Sequence, residues 1–371
     1  MTKMLAAVAY KGEGKFRIEQ VDIPRIGDED VLVKVKASSI TRGGLTVWKR
    51  GDWPLNISPT ILGSQMAGVI TEAGKEARSF KEGDRVIVHS ALTCRDCEYC
   101  RADLESLCPS FANMGHSVKS KQGMYLYEKY HNGGLAEYVK APAWTLHHLP
   151  DEIPFDIGAK IGTVAVAYRA IKCAKTKPGG TLIVTAATGG TGAAAIKCAP
   201  LFGLSRVIAI SRARKNLEKV RALEPDLVEI VPTEELPQGW EQNGLLTEKI
   251  RSVNGGKGPD GMVDFMPAGA DVTLQSLFAL RDGGTAVLEG GNPSNLTIPY
   301  LRIMHRGLQI RGYLSFSKQD EGELIELVKV GRLDVGRLIT HRFSLEEANK
   351  AMEIVEGRVG SPWWVIVSPS A

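Results

Sequence analysis

Cys94, Cys97, Cys100 and Cys108 are separated by two, two and seven residues. Four thiolates on so short a loop can wrap one Zn²⁺ tetrahedrally, with metal–sulfur arms of about 2.3 Å. Two local disulfides or four free thiols are the other states this spacing permits. A chain of 371 residues does not need a disulfide framework to hold its core, which favours metal. Four protein ligands leave no coordination position for substrate or water, so this zinc, one per chain, holds a lobe and does no chemistry. Cys173 and Cys198 stand alone in apolar helical context and read as core residues.

A second chemical signal follows the apolar run Thr181-Leu-Ile-Val: Ala186-Ala187-Thr188-Gly189-Gly190-Thr191-Gly192. Glycines between a buried strand and a helix let the backbone approach a pyrophosphate, and the helix start offers free N–H groups and partial positive charge. A dinucleotide site over Thr188, Gly189, Gly190, Thr191 and Gly192 is the expectation. The next run, Arg206-Val-Ile-Ala-Ile, ends in Ser211-Arg212-Ala213-Arg214-Lys215. An NAD site usually places Asp or Glu there for the adenosine ribose hydroxyls. Ser211, Arg212, Arg214 and Lys215 instead suit a 2′-phosphate, each charge-assisted bond contributing about 1.5–3 kcal/mol. NADPH is therefore the expected cofactor; the competing reading is a solvated helix start with ordinary basic residues.

The elements that must position these residues change character along the chain. Up to about residue 150, short alternating or apolar runs such as Val31-Leu-Val-Lys-Val-Lys and Arg85-Val-Ile-Val-His are broken by Gly, Pro and Asp, as in an antiparallel β-rich domain. From Gly179, strands alternate with helices: a helix to Leu201, a charged helix from Lys215 to Leu223, and strands at Leu227, Gly261 and Thr285. That order implies a doubly wound parallel sheet. From about residue 315 the first pattern returns, with one amphipathic helix starting at Leu345 and a final strand from Trp363. The expectation is an α/β protein: a Rossmann domain over 159–314 inserted into a discontinuous catalytic domain over 1–158 and 315–371.

Composition narrows the partners. With 43% hydrophobic and 24% charged residues and a net charge of only +4, the basic residues scattered, neither disorder nor a nucleic-acid partner is expected. No apolar stretch approaches about 18 residues, and the N-terminal run is too short for a signal peptide, so a cytoplasmic protein without a membrane partner is expected.

The motifs and their order resemble the medium-chain dehydrogenase/reductase family, of the zinc alcohol dehydrogenase type, over nearly the whole chain. Further landmarks are Pro59-Thr-Ile-Leu-Gly63, Glu82-Gly-Asp-Arg-Val86, Gly133-Gly-Leu-Ala-Glu-Tyr138 and Phe343-Ser-Leu-Glu-Glu-Ala. The resemblance implies a GroES-like catalytic domain, a structural zinc lobe and hydride chemistry on a small-molecule substrate. The family's catalytic-zinc ligands do not carry over. The ligand cysteine is Thr41; Gly-His-Glu reads Gly63-Ser64-Gln65; the remaining cysteine falls at Gly162. The family's proton relay is also gone, with Gly43 and Thr46 at its hydroxyl and histidine. Thr, Ser, Gln and Gly offer no thiolate, imidazole or carboxylate to a metal.

Zinc polarises a carbonyl by several kcal/mol, whereas a hydrogen bond supplies about 1–3 kcal/mol. An already electrophilic conjugated C=C or C=N bond, probed as an enal, enone or iminium, then becomes the expected hydride acceptor, with Thr41, Ser64 and Gln65 as donors beside the nicotinamide. Space-filling after zinc loss is the plain alternative for these three. Arg42 matches a family position that contacts the pyrophosphate. Tyr125, Tyr127 and Tyr130 suggest either a substrate lid that supplies a proton donor or a solvated or interface loop, and Trp48 and Trp53 suit either a bulky conjugated substrate or simple packing. His147 and His148 receive no role. A zinc-independent carbonyl or quinone reductase and a non-catalytic NADPH-binding protein are the competing functions, and a homodimer is the expected assembly.

Overall fold

The computed structural model describes residues 2–50 and 57–370; Trp53 lies outside them. The chain divides into two compact units, Met1–Gly162 with Phe316–Ala371, and Thr163–Ser315.

In the second unit six strands form one all-parallel sheet. Across the sheet they run Val228–Pro232, Arg206–Ser211, Thr181–Val184, Gly261–Asp264, Thr285–Leu288 and Gln309–Gly312. In chain order this is 3-2-1-4-5-6, the doubly wound arrangement whose carboxyl edge gathers ligands where the order reverses. The central strand Thr181–Val184 is buried throughout, as a parallel strand covered by helices on both faces must be. The sixth strand, Gln309–Gly312, escapes sequence reading because Gln-Ile-Arg-Gly is half polar and exposed along its length.

The first unit is built on a seven-stranded sheet centred on Asp30–Ser39, with Met66–Ala73, Tyr138–Pro142 and the C-terminal Trp364–Ser368 paired to it. Beyond Met66–Ala73 lie Arg85–Val88 and then Leu146–His148. Its interior includes Val31, Val33, Val35, Ile70, Val86 and Val88. A β-rich GroES-like unit and a unit with a Rossmann-type sheet make up the expected fold class.

Two sequence expectations are corrected here, and one open choice is decided. The tail carries a second helix, Lys318–Lys329, opened by a capping box in which Ser317 and Asp320 exchange side-chain and backbone hydrogen bonds. The tyrosine stretch is neither lid nor solvated loop but the helix Met124–Tyr130: Tyr127 and Tyr130 are buried, and only Tyr125 is exposed. Tyr130 donates to the buried Asp30 carboxylate at 2.5 Å. Of the two readings of Trp48 the structure shows packing: it is buried, stacks on Phe16 at 4.9 Å and donates to the Tyr10 carbonyl. Among the described residues, no helix is long and apolar enough to cross a membrane.

Candidate active site and metal centre

The cysteine lobe is a metal cage by geometry. The four thiols are unbridged, and their sulfurs all lie within 4.8 Å of one another. Individual separations are 3.9 Å for Cys94–Cys100, 3.5 Å for Cys97–Cys100 and 3.6 Å for Cys108–Cys94. A tetrahedron with arms of about 2.3 Å has edges of about 3.8 Å. The short helix Glu98–Arg101 presents Cys100, and the turn after Glu105–Leu107 presents Cys108. Backbone N–H groups of Cys94 and Cys97 point at the Cys108 and Cys94 sulfurs, as thiolate ligands require. Among the described residues, no other group of three or more His, Cys, Asp or Glu side chains is close enough to hold a metal.

In the Rossmann unit, Gly189 precedes the helix Gly190–Cys198, and a side chain at Gly192 would collide with the Ala186 carbonyl at 2.7 Å. Helix and strand can therefore meet only through glycine there. Ala186 stands at φ +46, the left-handed region that a glycine usually fills. The Thr188 and Ser211 hydroxyls bond at 2.8 Å, tying the glycine turn to the end of the second strand. Arg212 and Lys215 are exposed and make no ion pair among the described residues. Arg214, grouped with them from sequence, is engaged elsewhere: it pairs with both oxygens of Glu235 and bonds Glu218 at 3.1 Å, while Glu234 accepts its backbone N–H. Glu218 is one turn on in the same helix, whereas Glu234 and Glu235 belong to the turn after the third strand, Thr233–Glu235, too far along the chain to be seen near the basic run.

In the β-rich unit, Thr41 and Arg42 lie at the start of the helix Arg42–Arg50. The Thr41 hydroxyl accepts from the Gly44 N–H at 3.2 Å, which leaves its own proton free to donate; Arg42 is exposed. Gly63 takes φ +100, and a side chain on it would meet Ser38 Oγ at 2.7 Å, so glycine sets the bend that presents half-buried Ser64 and Gln65.

Gln65 is the best-defined of the expected donors. Its Oε1 accepts from the Lys160 ammonium at 2.8 Å and from Ser39 Oγ at 3.0 Å, and Lys160 also reaches Ser39 Oγ at 3.3 Å. Two donors on Oε1 fix the amide, so Nε2 faces the other way as a donor. That nitrogen lies 3.6 Å from where a Cβ on Gly162 would stand, so Gln65 and Gly162 are brought together. Lys160 is only 3% exposed, and burial alone lowers it to about 7.

The same neighbourhood holds groups the sequence did not single out. Glu321, 2% exposed, points Oε1 to within 3.4 Å of that Gly162 position, and its Oε2 bonds His89 Nδ1 at 2.6 Å. Glu105 takes the other His89 nitrogen at 3.0 Å. Burial opposes charge on His89, but the two carboxylates outweigh it and raise the imidazole to about 9. His147, assigned no role from sequence, stands 3.7 Å from Glu321 and is pushed down to about 4 by burial, hence neutral. No periodicity joins residues 89, 105, 147, 160 and 321. The one local signal was two adjacent acids opening a helix, which the structure buries at Asp320 and Glu321.

Comparisons with known proteins agree with this layout. Residues 27–151 match the family described as alcohol dehydrogenase GroES-like domain, and residues 190–330 match zinc-binding dehydrogenase. An alcohol dehydrogenase of Geobacillus stearothermophilus is 30% identical over 334 residues, covering 89% of this chain and 90% of that protein. Rat (Rattus norvegicus) sorbitol dehydrogenase is 27% identical, covering 95% of this chain and 93% of its own. A solved NAD-dependent alcohol dehydrogenase superposes with a TM-score of 0.83 at 26% identity, covering both chains completely.

Proposed function

The chain belongs to the medium-chain dehydrogenase/reductase family of oxidoreductases, and from that premise we propose that it is an NADPH-dependent reductase of activated, conjugated C=C or C=N bonds that works without a catalytic zinc. The observation that carries this reading is the hydrogen-bond ring of Lys160, Ser39 and Gln65 beside Gly162, where the family's metal ligands would be. Thr41, Ser64 and Gly162 do not form a zinc donor set, so no step runs through a metal.

The cofactor's part is the hydride that a bound dihydronicotinamide supplies. The Gly189–Gly192 backbone and the start of the helix Gly190–Cys198 would hold the pyrophosphate, with Arg42 adding charge. Arg212 and Lys215, with Ser211, would take the 2′-phosphate; Arg214 would contribute less because Glu235 and Glu218 hold it. Gln65 Nε2, its amide polarised by the Lys160 ammonium, would donate to the oxygen or nitrogen on which charge develops, with Thr41 and Ser64 as further donors. A neutral donor of this kind is too weak to activate an isolated ketone and sufficient for a conjugated acceptor.

The protein would work on a small, bulky conjugated molecule in the reducing cytoplasm, where the four thiols stay free for zinc. A homodimer is part of the proposal. It is supported by the unpaired edge strand Gln309–Gly312 and the exposed side chains of Tyr300, Leu301, Met304 and Ile310.

The test is to mix purified protein with NADPH and a panel of enals, enones, iminium compounds, quinones, simple ketones and alcohols with NADP⁺. Oxidation of NADPH by the conjugated compounds is expected. Turnover confined to alcohols or unconjugated ketones, or no turnover at all, would overturn the proposal.

A further inference from the structure

Glu321 is buried with one oxygen, Oε2, on His89 and the other, Oε1, directed toward Gly162. With glycine at 162, the spot a Cβ would fill carries no side-chain atom. Glu321 Oε1, Gln65 Nε2 and Phe316 Cζ surround it at 3.4, 3.6 and 3.1 Å. A carboxylate bonded to an imidazole and a hydrogen-bond donor thus converge on one point, beside an apolar ring. We propose that Glu321 relays the proton of the His89 imidazolium to the substrate in the reduction. This rests on the reductase reading above.

Hydride adds to the electrophilic carbon and forms its C–H bond, and the π pair moves onto the conjugated oxygen or nitrogen. Gln65 Nε2 donates to that atom, the Nδ1 proton of the His89 imidazolium passes to Glu321, and the carboxyl so formed gives a proton to the neighbouring carbon or to the heteroatom itself. Glu321 is left a carboxylate, as it began, and the neutral His89 recovers its proton from water. Each turnover consumes one hydride and one proton.

The surroundings suit the role. His89 is packed edge-on against Phe316 at 5.4 Å and bonded at both nitrogens, so it cannot turn away from Glu321. The charged and titratable groups that face the pair are few. From the strand Leu146–His148 comes neutral His147. From the segment of Glu105–Leu107 comes Glu105, whose carboxylate also accepts the Lys318 N–H at 3.3 Å. On the helix of Glu321 itself, the Lys318 ammonium is directed to the Trp144 carbonyl at 2.6 Å. Among the described residues, His89 is the protonated group hydrogen-bonded to Glu321. A buried acid recharged by a neighbouring imidazole is a general acid that typically contributes 10²–10⁴-fold.

The test uses full-length protein carrying Glu321→Gln, Glu321→Asp or His89→Gln, loaded with NADPH and assayed on the conjugated compound that the wild type reduces best. Glu321→Gln is expected to lower kcat by about 100-fold or more, leave NADPH affinity within threefold, and remove one limb of the pH–rate profile. Glu321→Asp should restore part of the rate and that limb, which a purely structural loss would not do. A kcat within threefold of wild type in Glu321→Gln overturns the proposal. If the wild type reduces nothing in the panel, the reductase reading fails, and the pair is judged by ¹⁵N NMR of the free protein. His89 should remain doubly protonated well above pH 7 and lose that property in Glu321→Gln; a neutral imidazole at pH 7.5 in the wild type would overturn the pair as well.

Discussion

At the scale of single residues, function and stability pull apart most clearly at Lys160. Its burial, with no carboxylate partner among the described residues, depresses the folded-state value to about 7, against 10.5 for a free lysine. The folded chain therefore binds fewer protons than the unfolded chain between those values, and stability rises with pH across that window. The penalty is full below about pH 7 and gone above the unfolded value. His89, raised to about 9, has the opposite slope: its contribution is present below its ordinary 6.5 and lost as pH rises through 9. Lys160→Met should isolate the first effect: its gain in urea midpoint over wild type should be larger at pH 6 than at pH 10. A pH-independent difference would show that the ammonium is not desolvated. The 2′-phosphate contacts are separable in the same way. Arg212→Ala with Lys215→Ala should weaken NADPH by about tenfold or more for each bond lost while leaving NADH within twofold, and Arg214→Ala should weaken it less. Equal losses for NADPH and NADH in fluorescence titration would refute the assignment.

At the scale of elements, the cysteine lobe and the helix Lys318–Lys329 matter most. The lobe's local apolar support is small, with Ala91, Cys108 and Phe111 buried among the cysteines, so metal must supply much of its order. Metal analysis of the purified protein should find one zinc per chain, lost in Cys100→Ser; two per chain would contradict the reading of positions 41, 64 and 162. The helix opens with the Ser317–Asp320 capping box, and the next residue is Glu321. Fixing the first turn thus fixes the direction of that carboxylate. Strand and helix positions around the cofactor turn were legible from apolar runs and glycines. The helix Lys318–Lys329 was not, because its first turn is charged and its burial comes from partners such as His89, far away in sequence. The tyrosines of Met124–Tyr130 misled for the converse reason: a polar-looking stretch is buried by a sheet that sequence periodicity does not show.

At the scale of the whole molecule, the Rossmann sheet ends in an exposed edge strand beside the exposed apolar residues of the helix Tyr300–Arg306. Open strand edges with apolar neighbours invite pairing with another chain. Sedimentation should find a dimer at micromolar concentration, and Leu301→Glu with Met304→Glu should shift it toward monomer; a wild-type monomer would remove the homodimer from the proposal. The sequence by itself determined the four-cysteine lobe, the glycine turn and the alternation of strand and helix, because each is written in short-range spacing that backbone geometry and metal coordination read directly. Only the tertiary structure decided that Gln65 is aimed by Lys160 and Ser39, that Arg214 is taken by Glu235, and that His89 and Glu321 meet beside Gly162. Those pairings join residues tens to hundreds of positions apart, and the desolvation that sets their charge exists only once the chain has packed around them.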